Sequence, residues 1–200
     1  MSPSISPFAS SIRGSAVVDF RRRADALEAK GISVVDFGIG EPDFPSPPPV
    51  KEALIRAIRD GHDKYVDPKG LLALREAIAG FESDNHGLNI DPDNIVVTTG
   101  STGALSLASR ALFAPGDEVL LIEPCYGPYR SLVTATGATA VGVSMPQRQG
   151  CFVIEREPLD RATSPRTKAI IVNNPCNPTG RVFSRAELEI IADFAEVNDL

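Results

Sequence analysis

Two segments, "EVLLIEP" at 118–124 and "TKAIIVNN" at 167–174, carry unbroken apolar runs at their centres instead of alternating apolar with polar residues. A strand on the skin of a sheet alternates, because its side chains point in turn to core and to water. A strand that is apolar throughout has both of its faces covered. "NIVVTTG" (94–100) and "ATAVGVSM" (138–145) read the same way, and helical patterns separate the runs: "STGALSLASRALF", "YGPYRSLVTATG" and "RAELEIIADFAEVN". The last begins at Ser184 with Glu187 three residues on, the pattern of a capping box. Buried strands alternating with helices make the fold class α/β, a mainly parallel sheet flanked by helices.

Upstream the texture differs. Ser and Pro crowd the first fifteen residues, which read as a loose arm. A helix is expected from Val17 to Lys30 with Gly31 as its stop, and a short strand from Val34 to Phe37. "GIGEPDFPSPPPV" is all turn and loop; Pro48 and Pro49 then open an amphipathic helix closed by Gly61. A further helix follows Lys69-Gly70, with Leu71, Leu74, Ile78 and Phe81 on one face. At the other end, "AEVNDL" stops in what reads as the body of a helix, so the chain is expected to be the N-terminal part of a longer polypeptide. A short chain with a frayed last helix is the alternative.

Bulk properties exclude several classes. The net charge of -6 argues against nucleic acid or an anionic membrane surface as partner. Arg21, Arg22 and Arg23 read as the solvated face of a helix. Three cysteines, widely spaced and odd in number, point to free thiols in a reducing compartment, hence a cytoplasmic location. Two distant histidines make no metal site, and no window has the apolar length of a signal peptide or a membrane span.

In open parallel sheets, ligands bind beyond the carboxyl ends of the strands. Three unusual stretches stand there: "TTGSTGAL", "EPCYGPY" and "NNPCNPTG". If their strands are neighbours, they line one crevice. Gly100, Ser101 and Thr102 open a helix, offering free backbone N–H groups, two hydroxyls and the positive end of the helix dipole to a phosphate. Alone, such a turn is more often a plain capped helix start. Tyr126 can stack on a flat ring, though a lone tyrosine there is more often packing. Asn177, between two prolines, can donate its amide to a ligand oxygen, while Asn173 or Asn174 can simply end the strand in an Asx turn. Tyr65 in "KYVDPKG" and Gly40 in "GIGEPDF" decide nothing by themselves.

The ordered set "GIGEPDF", "KYVDPKGLLALREAIA", "VVTTGSTGALSLASRALFAPGDEVLLIEPCYGPY" and "AIIVNNPCNPTGRVFSRAEL" resembles the class I/II aminotransferases, fold-type I pyridoxal-phosphate enzymes of the aspartate aminotransferase kind. The likeness runs from about residue 33 to the end. It implies that Gly100, Ser101 and Thr102 hold the phosphate of pyridoxal 5'-phosphate, that Tyr126 stacks on its ring and that Asn177 bonds the ring's phenolic oxygen. It implies that Tyr65 reaches the cofactor of a neighbouring subunit in a homodimer, and that Gly40 and Asn177 lie beside the substrate. Residues 1–47 would be an arm, a helix and a small-domain segment, and 48–200 the first part of the large cofactor-binding domain. The implied reaction moves an amino group between an L-amino acid and a 2-oxo acid, with ping-pong kinetics.

The resemblance implies that the family's Schiff-base lysine, the aspartate partner of the ring nitrogen and the arginine that clamps the substrate would fall downstream of Leu200. No residue here is assigned a catalytic role, and the chain alone is expected to be inactive. The same framework carries carbon–sulfur β-lyases and aminocyclopropane-carboxylate synthases. A regulator's effector domain and a noncatalytic truncated relic are the non-enzyme alternatives; only about thirty residues precede "VVDFGIG", too few for a DNA-binding domain.

Overall fold

The computed structural model describes Ile5, residues 16–38 and residues 40–200. The chain divides into two compact units, Met1–Val97 and Thr98–Leu200. Apart from Ile5, the expected arm over residues 1–15 lies outside the described residues.

The first unit carries three helices: α1 (Ala16–Glu28), α2 (Pro48–Arg59) and α3 (Leu72–His86). Their ends are where the punctuation puts them. The chain leaves α1 through Gly31, α2 starts on its prolines, and α3 closes on a left-handed Gly87. Arg75 of α3 is buried and donates to the carbonyls of Gly70 (3.3 Å) and Pro92 (2.8 Å) and to Asp93 Oδ1 (3.0 Å). That bond, with the charges of Lys69 and Arg75, holds the Asp93 carboxyl below its ordinary range. Val97 N–H donates to Lys69 O (2.8 Å), and a Cβ on Gly70 would sit 2.7 Å from Val97 Cβ, so only glycine allows this approach.

Two expected strands are absent. Residues 34–37 and 95–98 are irregular, Asn94 closing a single 3-10 turn from Pro92, with Phe37 92% and Val96 53% exposed. Neither segment finds a strand to pair with among the described residues, and β-propensity without a ladder leaves loop. The apolar stripe of α2, Val50, Leu54 and Ile58, is likewise exposed.

The second unit is built on β1 (Glu118–Glu123), which pairs in parallel with β2 (Thr139–Ser144) on one side and β5 (Thr167–Ile171) on the other. Its double burial is as expected. Val119 and Leu121 join Val133, Ala138 and Ala140 on one face, while Leu120 and Ile122 join Leu159, Phe183, Ile191 and Phe194 on the other. Val119, Leu120 and Leu121 are 0% exposed. Helices α4 (Gly100–Leu112) and α5 (Pro128–Thr134) pack together, α5 contributing Val133 to the first face. On the second face lie α6 (Arg156–Ala162) and α7 (Arg185–Val197).

Helix α6 and the hairpin β3 (Gln147–Arg148) with β4 (Cys151–Phe152) escaped the sequence pattern. Seven residues with one buried side chain, Leu159, are too few to show a helical period. Helix α7 has the full capping box at Ser184 and Glu187. Contrary to expectation it closes before the chain ends: Asp199 takes a positive φ of 53°, and Leu200 N–H donates to Ala195 O (2.9 Å). Aspartate tolerates the left-handed region well enough to serve as this stop. Among the described residues, no helix is long and apolar enough to cross a membrane.

Truncating Leu120 to alanine should cost about 2–5 kcal/mol in urea unfolding, since both neighbouring strands hold the cavity open. Glu118, buried at the start of β1, accepts from Ser164 Oγ (2.6 Å) and from Arg166, which together lower its carboxyl pKa. A lowered folded value means this stabilisation is complete above the ordinary carboxylate range and is lost as pH falls through the folded value. Glu118→Gln should therefore flatten the acid limb of the stability–pH curve, measured by urea midpoints between pH ~3 and ~7.

Candidate functional site

Right-handed crossovers running in opposite directions along a sheet place their helices on opposite faces. The chain moves from β1 to β2 with α5 on one face, then returns past β1 to β5 with α6 on the other. The direction of winding thus reverses at β1, and a crevice at its carboxyl end, between β1 and β5, is the place such a sheet offers a ligand.

Two of the three suspected loops meet there. The segment after β1, Pro124–Gly127, and the segment after β5, Val172–Gly180, touch where the Cys176 thiol donates to Pro124 O (3.4 Å). Tyr126 lies just past this contact on one loop and Asn177 just past it on the other. The Glu123–Pro124, Asn174–Pro175 and Asn177–Pro178 peptides are cis. Tyr126 is half-buried, its ring edge-on to Tyr129 at 5.4 Å between centroids and 78° between planes. Asn177 is exposed. A small cavity beneath the loops is lined by Cys125, Tyr129, Asn173 and Cys176. Burial raises the Cys125 thiol and the Tyr129 phenol above their ordinary values, so both are neutral hydrogen donors near neutral pH.

The third loop supplies the start of α4. Gly100 has φ of 74° and its N–H donates to Thr98 O (2.9 Å), while no side chain caps the helix. Thr98 Oγ1 is turned instead to Gly100 O (2.9 Å). The contrast with α7 is chemical: there the capping box takes up the Ser184 and Glu187 N–H groups, whereas at α4 no side chain takes up those that follow Gly100, and the exposed Ser101 and Thr102 hydroxyls stand alongside. Free N–H groups at the positive end of a thirteen-residue helix suit an anion. Helix α4 packs on α5, which begins directly after the Tyr126 loop.

Tyr65 and Gly40 belong to the first unit. Tyr65 stands fully exposed on the loop between α2 and α3, and a Cβ on Gly40 would meet nothing within 4 Å among the described residues.

Arg130, Glu123 and Gly142, which shape the crevice, were not singled out in the sequence. Arg130 of α5 pairs with Glu123 (2.6 Å) and donates to Ala140 O (2.7 Å), lashing the end of β1 to β2. Gly142 makes room for that pair, since a Cβ there would lie 2.7 Å from the Glu123 carboxyl carbon. Asn173 and Asn174 make no simple Asx turn: Asn173 Oδ1 accepts the Asn177 N–H (2.8 Å) and Asn174 Oδ1 the Phe183 N–H (2.9 Å). The doubled asparagine before a proline was the only available signal.

Residues 32–200 match the family model described as aminotransferase class I and II. Among curated proteins, the aspartate/prephenate aminotransferase of Thermus thermophilus is 39% identical over 188 residues, which are 94% of this chain and 49% of that protein. Among solved structures, an aspartate aminotransferase from Thermus thermophilus with maleate superposes with a TM-score of 0.93 at 37% identity, over 99% of this chain and 52% of that one. An alanine aminotransferase from Pyrococcus furiosus gives 0.92 at 38% identity, over 98% and 50%. The chain spans about half the length of the relatives it matches.

Gly100 offers a test of the α4 turn. A Cβ there would touch nothing within 4 Å, so Gly100→Ala should cost only the left-handed backbone strain, about 1–2 kcal/mol, read as a lower urea midpoint.

Proposed function

The chain belongs to the class I and II aminotransferases, and from that premise we propose that the protein is a pyridoxal 5'-phosphate-dependent enzyme moving an amino group between an L-amino acid and a 2-oxo acid with ping-pong kinetics. The observation that carries this reading is the uncapped start of α4 in the unit where the Tyr126 and Asn177 loops meet at the winding reversal of the sheet. These residues fit the cofactor. The free N–H groups after Gly100 with the Ser101 and Thr102 hydroxyls would hold its phosphate dianion, the Tyr126 ring would stack on its pyridine, and the Asn177 amide would donate to its phenolic oxygen. The chemistry the cofactor supplies when bound is an electron sink for the pair left by a breaking Cα–H bond.

The partners follow in the same proposal. The named relatives act on aspartate, prephenate and alanine, so the reading commits to the reaction class and to small amino and oxo acids as substrates. Gly40 and Asn177 would stand beside them. Tyr65, fully exposed, would serve the site of a second copy in a homodimer, and the exposed stripe of α2 would suit such a contact. Three free cysteines accord with a cytoplasmic protein. Residues 1–47 would serve the small domain and 48–200 the large one.

Of the five lysines none falls within the two meeting loops, 124–127 and 172–180, and Lys168 is exposed on β5. The 200-residue chain is therefore proposed to bind the cofactor without turnover. Equilibrium dialysis with pyridoxamine 5'-phosphate should show saturable binding that inorganic phosphate competes away, weakened about threefold to tenfold by Tyr126→Ala. Binding indifferent to phosphate would sink the assignment of the α4 cradle. With pyridoxal 5'-phosphate, an amino acid and a 2-oxo acid, the chain should release no new oxo acid; steady release would overturn its proposed inactivity.

A further inference from the structure

We infer that Asn173 is the positioning residue of the crevice, the group that aims the Asn177 amide at the cofactor's ring oxygen; the inference rests on the proposed cofactor reading. Asn177 is exposed, so no packing selects its side-chain direction. What orients an exposed amide is its backbone, and a recognition group held loosely by even a fraction of an ångström loses most of its directional bond.

The loop from Val172 to Gly180 is tied down at several places. Cys176 N–H donates to Arg181 O (2.8 Å), Gly180 N–H to Cys176 O (2.7 Å), Phe183 N–H to Asn174 Oδ1 (2.9 Å), and the Cys176 thiol to Pro124 O (3.4 Å). These bonds set the outline of the loop without touching residue 177. The bond from the Asn177 N–H to Asn173 Oδ1, 2.8 Å, is the one that grips residue 177 itself among the described residues. Pro178 follows directly and restricts the backbone at Asn177 from the other side. Asn173 is itself half-buried against the cavity shared with Tyr129, Cys176 and Phe183, so its acceptor oxygen is held by packing where that of Asn177 is not. Losing Asn173 would leave the loop in place and residue 177 free to turn within it.

The test compares two ligands, pyridoxamine 5'-phosphate and its 3-deoxy analogue, which lacks the phenolic oxygen, by equilibrium dialysis against the chain and its variants. The native chain should prefer the first ligand by about tenfold, the scale of one hydrogen bond to a charged oxygen. Asn177→Ala should abolish the preference. Asn173→Ala should reduce it to less than about threefold while binding the 3-deoxy analogue as the native chain does, and Asn173→Asp, which keeps an acceptor oxygen, should restore it. Should N173A fold poorly, Asn173→Leu, close to asparagine in size and without any acceptor, takes its place.

Full preference in the Asn173→Ala chain, with Asn177→Ala having lost it, overturns the inference and leaves the cofactor reading intact. Equal weakening of both ligands also overturns it, because a merely structural residue would behave so. A native chain that binds neither ligand overturns the cofactor reading together with the inference.

Discussion

Burial of β1 on both faces is the constraint from which the second unit follows. Val119, Leu120 and Leu121 are fully excluded from water, with Val133 of α5 on one side of the strand and Leu159 of α6 and Ile191 and Phe194 of α7 on the other. Right-handed crossovers that run to either side of β1 lay helices on both of its faces. Those two crossings reverse the winding at β1, and the reversal opens the crevice at its carboxyl end. The position of the candidate site is thus a by-product of the packing of the core.

The loops at the crevice turn that position into a shape. Cys176 ties the β5 loop to the β1 loop, and Arg130 with Glu123 ties β1 to β2, with Gly142 giving them room. At the head of α4 the chain withholds the cap that it provides in full at α7. A helix start left uncapped costs a fraction of its stability, on the order of 1 kcal/mol, and offers that deficit to an anion.

Much of this was legible in the sequence. Continuous apolar runs marked β1 and β5, the Ser184–Glu187 pair marked α7, and the turn residues of "NNPCNPTG" marked the loop that closes the crevice. The failures share one cause. Residues 34–37 and 94–98 have the composition of strands, but a strand is a pairing, and no ladder reaches them among the described residues. Helix α6 and the β3–β4 hairpin are too short for a period to accumulate. Asp199 ends α7 through a left-handed conformation that aspartate permits without announcing.

By itself the sequence determined which segments must be buried, where helices begin and where the chain turns, because these depend on side-chain type and on spacing within a few residues. It determined the family too, since four motifs in one order are a property of the string. Tertiary structure alone decided that β1 lies between β2 and β5 and that Cys176 reaches Pro124 across fifty-two positions. Such contacts join residues whose separation along the chain says nothing of their separation in space; only the packing of a shared core brings them within a hydrogen bond's length.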